Sequence, residues 1–128
     1  MRKLQINPWN WQDPLGFAQC WRVDGASSLL VLSGQAPISS DGQLVQGGFQ
    51  AQARQVFQNL RTVLEQAGAG LDDVVKLTVY LTDMNRLREY SSIRAEYMPG
   101  APPASTAVGV TALARPEMMI EVEALAAL

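Results

Sequence analysis

The chain has 128 residues, of which 48% are hydrophobic and 17% charged, with a formal net charge of −2. That is the length of one domain with enough apolar content for a core, which excludes disorder, and its charge offers no footprint for nucleic acid or an anionic membrane. Histidine is absent and Cys20 is the only cysteine, which excludes histidine-based triads, histidine metal sites, an internal disulfide and a thiolate zinc cage.

The run Met1-Arg2-Lys3-Leu4-Gln5-Ile6-Asn7-Pro8 has basic residues with no apolar stretch behind them. It reads as neither a leader nor a span, and a cytoplasmic address is the default expectation. Residues 19–24 and 29–35 read as two strands joined by the polar turn Asp24-Gly25-Ala26-Ser27-Ser28. Asp41-Gly42 marks a further turn between Ile38 and Leu44-Val45. From Phe49 onward, Ala53, Val56, Phe57, Leu60, Val63, Leu64 and Ala67 recur at steps of three and four, with Gln, Arg and Glu between them. This spacing predicts an amphipathic helix of about five turns, stopped by Gly68.

Val75, Leu77, Val79 and Leu81 then alternate with Lys76, Thr78 and Tyr80, which predicts a half-buried strand. Asp83 is placed to cap a second helix reaching about Met98, with Leu87, Tyr90, Ile93, Ala95 and Tyr97 as its apolar side. The run Met98-Pro99-Gly100-Ala101-Pro102-Pro103 ends it, and residues 105–112 and 118–125 read as a closing hairpin. This order predicts a single α+β domain over residues 1–128, with two helices on one face of a mixed sheet. Leu29-Leu30-Val31-Leu32 and Met118-Met119-Ile120 are apolar at consecutive positions, so both sheet faces seek cover. Two helices cover only one face, and a closed homo-oligomer is the expected cover for the other.

Glu121 and Glu123 lie two apart on the last strand and so share a face. They read either as a positioned base in a cleft between subunits or as two acids satisfied at a strand end, and the second is the commoner arrangement. Gly34, in Ser33-Gly34-Gln35, either admits a close approach or marks a bulge. Ser105 and Thr106 offer hydroxyls with no base to activate them. Trp9, Trp11, Phe17 and Trp21 either line an aromatic pocket or anchor the amino-terminal arm. Cys20 reads as a small core or interface residue. No P-loop, GxGxxG or GxSxG motif occurs.

Four blocks carry a resemblance that covers the chain from about Gly16 to Ala127. They are Leu32-Ser33-Gly34-Gln35-Ala36-Pro37, Gln52-Ala53-Arg54-Gln55-Val56-Phe57-Gln58-Asn59-Leu60, Leu71-Asp72-Asp73-Val74-Val75-Lys76-Leu77-Thr78-Val79-Tyr80-Leu81-Thr82-Asp83-Met84-Asn85, and Ile120-Glu121-Val122-Glu123-Ala124. In their order and spacing they resemble the reactive-intermediate deaminases, the RidA/YjgF family. The resemblance implies a chorismate-mutase-like α+β fold and a homotrimer with small-molecule clefts between subunits. It also implies hydrolysis of 2-imino or enamine acids without metal or cofactor, and neither a nucleic-acid nor a membrane partner is expected. The family's older endoribonuclease reading finds no basic patch or histidine here.

By the same resemblance, Glu121 orients water and Gly34 is the cleft glycine. Phe17 stands at a tyrosine position, Ser91 at an asparagine position and Ala107 at a cysteine position. The family's Pro-Ala-Arg-Ser run, whose arginine grips the substrate carboxylate, reads Pro103-Ala104-Ser105-Thr106, with Ser105 in place of the arginine. A side chain at position 105 is expected to face the cleft and away from the helices. The departures at Phe17 and Ser105 mark a divergent branch with altered substrate specificity. A trimer that binds a small metabolite or partner protein without catalysis is the alternative.

Overall fold

The computed structural model describes residues 1–128. Its elements run β1 (Arg2–Ile6), β2 (Cys20–Asp24), β3 (Leu29–Gln35), α1 (Gly48–Gln66), β4 (Val74–Leu81), α2 (Leu87–Tyr97), β5 (Ala104–Gly109) and β6 (Ile120–Ala127), with short 3-10 turns at Asp13–Leu15, Leu71–Asp73 and Met84–Arg86. The main sheet has the order β3-β6-β4-β5, and β1 pairs with β2 in a separate ribbon. The fold is α+β with a mixed sheet, as expected, but the pairing differs in two places.

The last two strands do not form a hairpin. β6 lies antiparallel between β3 and β4, while β5 runs parallel to β4 on its other side. A parallel neighbour needs a crossover, and α2 supplies it. Ile120, Val122, Ala124 and Ala126 are all buried, and the centre of the sheet is where such a strand buries most. Near the amino terminus β2 pairs with β1, Ile6 opposite Cys20 and Arg2 opposite Asp24, and not with β3. The alternation in β1 is inverted: Leu4 and Ile6 are exposed while Lys3 and Gln5 are half-buried, so hydrophobic patterning carried no strand signal there.

One core lies between α1, α2 and the inner sheet face. Phe57, Leu60, Leu64, Leu77, Val79, Leu81, Ile120 and Val122 are each 0% exposed, and burying such a side chain contributes about 1.5–3 kcal/mol. Helix α1 follows the predicted spacing except at its solvent edge, where Val63 and Ala67 are exposed. Gln52 is buried in their stead. Its side-chain amide donates to Glu117 O (2.9 Å) and accepts from Met119 N (2.8 Å), fixing the approach to β6. The helix ends on Gly68 at φ +78°, with Gly68 N donating to Glu65 O (3.0 Å) and Ala69 N to Leu64 O (2.8 Å). That is a Schellman closure, which a left-handed glycine permits.

Asp83 caps the 3-10 turn at Met84–Arg86 by accepting from Asn85 N (3.0 Å), so α2 proper begins at Leu87. On α2 the expected apolar Ala95 is exposed and Arg94 is buried. Met118 and Met119 precede β6 and do not lie on it. The outer sheet face is nonetheless apolar at its β3 side: Leu29 is 65% exposed, Val31 73% and Leu125 37%, with Val31 directly opposite Leu125. No helix is long and apolar enough to cross a membrane.

Candidate functional site

The segment before β2 is stitched onto β5, where Ala18 N donates to Pro103 O (3.0 Å) and Ala18 bridges Ala104 in parallel. This holds Phe17 beside the start of β5. Ser105 stands opposite Leu77 and Ala107 opposite Val79 in the parallel register, so both project to the helix side of the sheet with those buried residues. The expected orientation of position 105 is therefore corrected: Ser105 faces α2, because parallel register carries the inward face of β4 across to β5. Ser91 on α2 looks back at them. Phe17, Ser91, Ser105 and Ala107 line one cavity of about 750 Å³ between β5, α2 and the amino-terminal segment.

The other expected site residues lie elsewhere. Thr106 points to the outer face, where it accepts from Lys76 Nζ (2.7 Å). Gly34 and Glu121 form a pair on that same outer face. A β-carbon at Gly34 would stand 2.9 Å from the carboxylate carbon of Glu121, so only glycine leaves room for the acid to lie across β3. The register between β3 and β6 shifts between Leu32 and Gln35; Gly34 thus marks an irregularity and a close approach together. The two neighbouring acids have separate fates. Glu123 accepts from Tyr80 OH (2.5 Å), a bond that holds the phenol's pKa above its ordinary value. Glu121 takes no part in the hydrogen bonds and ion pairs that engage Glu123, Glu96 and Glu89.

The cavity also contains two groups that the sequence reading did not single out. Arg94 is 7% exposed and Tyr90 3%, and both line it. Arg94 Nη1 and Tyr90 OH are the two buried side-chain polar atoms in the chain with no hydrogen-bond partner. Burial pulls the Arg94 guanidinium below its usual pKa, with Tyr90 opposing, and burial pushes the Tyr90 phenol well above its own. Gly16 makes space for the cation: its φ is +77°, and a β-carbon there would lie 2.8 Å from Arg94 Nη2. The signal was present in the spacing, since Leu87, Tyr90, Ser91 and Arg94 sit at i, i+3, i+4 and i+7, a single helix face. Arg22 and Arg115 lie outside the cavity, Arg22 bonded to Asp24 (2.9 Å) and Arg115 reaching Gly42 O (3.4 Å).

The aromatic cluster divides by role. Trp21 is the anchor, its indole donating to Pro102 O (2.9 Å) beside Gln5 Nε2 (3.0 Å). Trp9 and Trp11 are 58% and 56% exposed, stacked at 6.3 Å, and Trp11 meets Phe17 edge-on at 6.0 Å. Of these three rings, only Phe17 lines the cavity. Cys20 is exposed and free, not a core residue.

The family model for Endoribonuclease L-PSP matches residues 17–128. Among relatives, the RutC family protein PH0854 of Pyrococcus horikoshii is 42% identical over 102 residues, 79% of this chain and 80% of that one. The mouse 2-iminobutanoate/2-iminopropanoate deaminase is 39% identical over 111 residues, 86% of this chain and 79% of that one. The crystal structure of the conserved Rid family protein YyfB from Yersinia pestis superposes with a TM-score of 0.90 at 36% identity, covering 100% of both chains. The chain belongs to the Endoribonuclease L-PSP family, that is, the RidA/YjgF family.

Proposed function

We propose that this protein hydrolyses a small imine or enamine to a carbonyl compound and ammonia in a cleft completed by a second copy of the chain. The observation that carries the reading is the pair Gly34–Glu121, a free carboxylate laid over a glycine on the outer sheet face. The cavity lined by Phe17, Ser91, Ser105 and Ala107 opens on the helix side, so one protomer cannot bring its own Glu121 to its own cavity. A trimer, whose neighbours cover the apolar outer face at Leu29, Val31 and Leu125, supplies the acid from the adjoining subunit. The named activity of the mouse relative supports the chemistry, and a cytoplasmic address belongs to the same reading.

In the proposed reaction, water adds to the C=N carbon of the protonated imine while the Glu121 carboxylate accepts the water's proton. The resulting carbinolamine takes that proton on nitrogen, and as ammonia leaves, the hydroxyl proton passes to the Glu121 carboxylate, giving the carbonyl. No metal or cofactor is required by these steps, and RNA cleavage is no part of the reading at a net charge of −2. Imine generated in place by a dehydratase, with carbonyl release followed against the uncatalysed rate, tests it. Glu121→Gln is expected to lower the rate by about 10²–10⁴-fold while light scattering still reports the trimer. A wild-type protein with no effect on carbonyl release would leave the second reading, a metabolite-binding trimer, which Ser105 in place of the strand arginine favours.

A further inference from the structure

Unpartnered polar atoms inside a protein are costly, an unpaired buried cation most of all. Native structures satisfy nearly all of them. In this chain the two exceptions, Arg94 Nη1 and Tyr90 OH, belong to two residues that line one cavity. Arg94 belongs to none of the protein's ion pairs, and Gly16 has given up its β-carbon space to Arg94 Nη2. A nearly buried cation on the wall of a cavity, without a counter-charge, is a site awaiting an anion. A neutral phenol beside it is a second donor, and burial pushes its pKa further above its ordinary value.

From this arrangement we infer that Arg94 and Tyr90, on α2, form the carboxylate-binding end of the cavity, taking an organic acid whose apolar tail lies against Leu15, Phe17, Met84 and Leu87. The planar guanidinium suits a carboxylate's two oxygens, and half of the 14 lining residues are hydrophobic, which leaves room for a branched or larger substituent. The inference rests on the proposed hydrolysis only for the cavity's being the reaction site. It differs from the strand arginine that the resemblance led one to seek: the grip is on the crossover helix, and Ser105 is small because the cation arrives from the opposite wall.

Calorimetric titration of the whole wild-type protein tests this with three probes: 4-methyl-2-oxopentanoate, 4-methyl-2-pentanone, in which a methyl replaces the carboxylate, and pyruvate, in which the tail is reduced to a methyl. The branched oxo acid is expected to bind best, with the ketone weaker by about 10- to 100-fold, the range of a charge-assisted contact, and pyruvate weaker as well. Arg94→Met should abolish the preference for acid over ketone. Tyr90→Phe, which removes only a hydroxyl, should cut acid affinity several-fold, and Arg54→Met, on the protein's exterior, should leave it unchanged. Circular dichroism checks that each variant is folded; should Arg94→Met be misfolded, Arg94→Lys and Tyr90→Phe decide. Equal binding of acid and ketone by the wild type, or undiminished acid binding by the folded Arg94 and Tyr90 variants, would overturn the inference. The two readings fail separately: acid binding without hydrolysis removes the hydrolase, and hydrolysis that ignores Arg94 removes the grip.

Discussion

Two arginines at the helices behave in opposite ways. Arg54 on α1 stands at the surface and grips Glu96 on α2 with both nitrogens, at 2.6 and 3.3 Å. Arg94, two residues before that glutamate, is buried and grips nothing. Water could have solvated Arg54, which nevertheless has a partner; Arg94 is the cation that most needs one and has none. Stability selects pairs like the first only weakly, because screened surface ion pairs contribute little. It selects against isolated charges like the second. The contrast separates a contact that decorates the fold from a charge kept at the fold's expense, and such a charge points to function.

The largest expected effect removes that charge. Without ligand, Arg94→Met should raise the stability of the protein, by up to about 1–4 kcal/mol if the gain matches that of well-packed apolar residues replacing a buried ion pair. Arg54→Met should change it little. Urea unfolding at a fixed protomer concentration measures both, and an Arg94→Met protein that is clearly less stable than wild type would erase the contrast.

A smaller effect is expected from the glycine beneath the cation. Gly16→Ala and Gly42→Ala both force a residue with a β-carbon into left-handed backbone, at φ +77° and +82°, which costs about 1–2 kcal/mol. Only the first crowds Arg94; at Gly42 nothing lies within 4 Å. Gly16→Ala should therefore lose at least as much stability as Gly42→Ala, and only Gly16→Ala should also weaken binding of 4-methyl-2-oxopentanoate. Equal binding by the two variants would detach Gly16 from the site.

The smallest effect is at the exposed pair. The Arg54 hydrogen bond holds the Glu96 carboxyl below its ordinary pKa. Its folded value lies below its unfolded one, so the contribution is complete above the unfolded carboxyl pKa and is lost as pH falls through the lowered value. A carbon-detected titration should show the Glu96 midpoint rising in Arg54→Met. An unmoved midpoint would mean that the pair does not persist in solution.

Much of the architecture could be read from periodicity, because α1 and β4 each bury one continuous stripe, and Phe49 to Leu64 and Leu77 to Leu81 announce those stripes directly. β1 escaped because its polar residues face the protein. The closing hairpin was misplaced since strand partners depend on where a crossover returns, which β5 and β6 do not encode locally. At the site, the sequence points to Gly34 and Glu121 separately, and their contact across two strands emerges only in three dimensions. Arg94 was passed over because a charged residue on an apolar stripe is ordinarily treated as an interruption. Here the stripe's own spacing put it inside.

The placement of β6 also constrains how the chain can acquire its shape. It comes after β3, β4 and β5 in sequence, yet it lies between β3 and β4 in the sheet, and its end is held by Ser27 N and Ser28 N donating to Leu128 O at 2.7 and 3.2 Å. Without residues 120–127, β4 can join β5 through α2, but β3 has no strand to pair with. Until β6 arrives, β3 and one edge of β4 remain open templates for foreign strands. Closure of the four-stranded sheet therefore waits on β6, whose pairing with β3 spans most of the sequence between them.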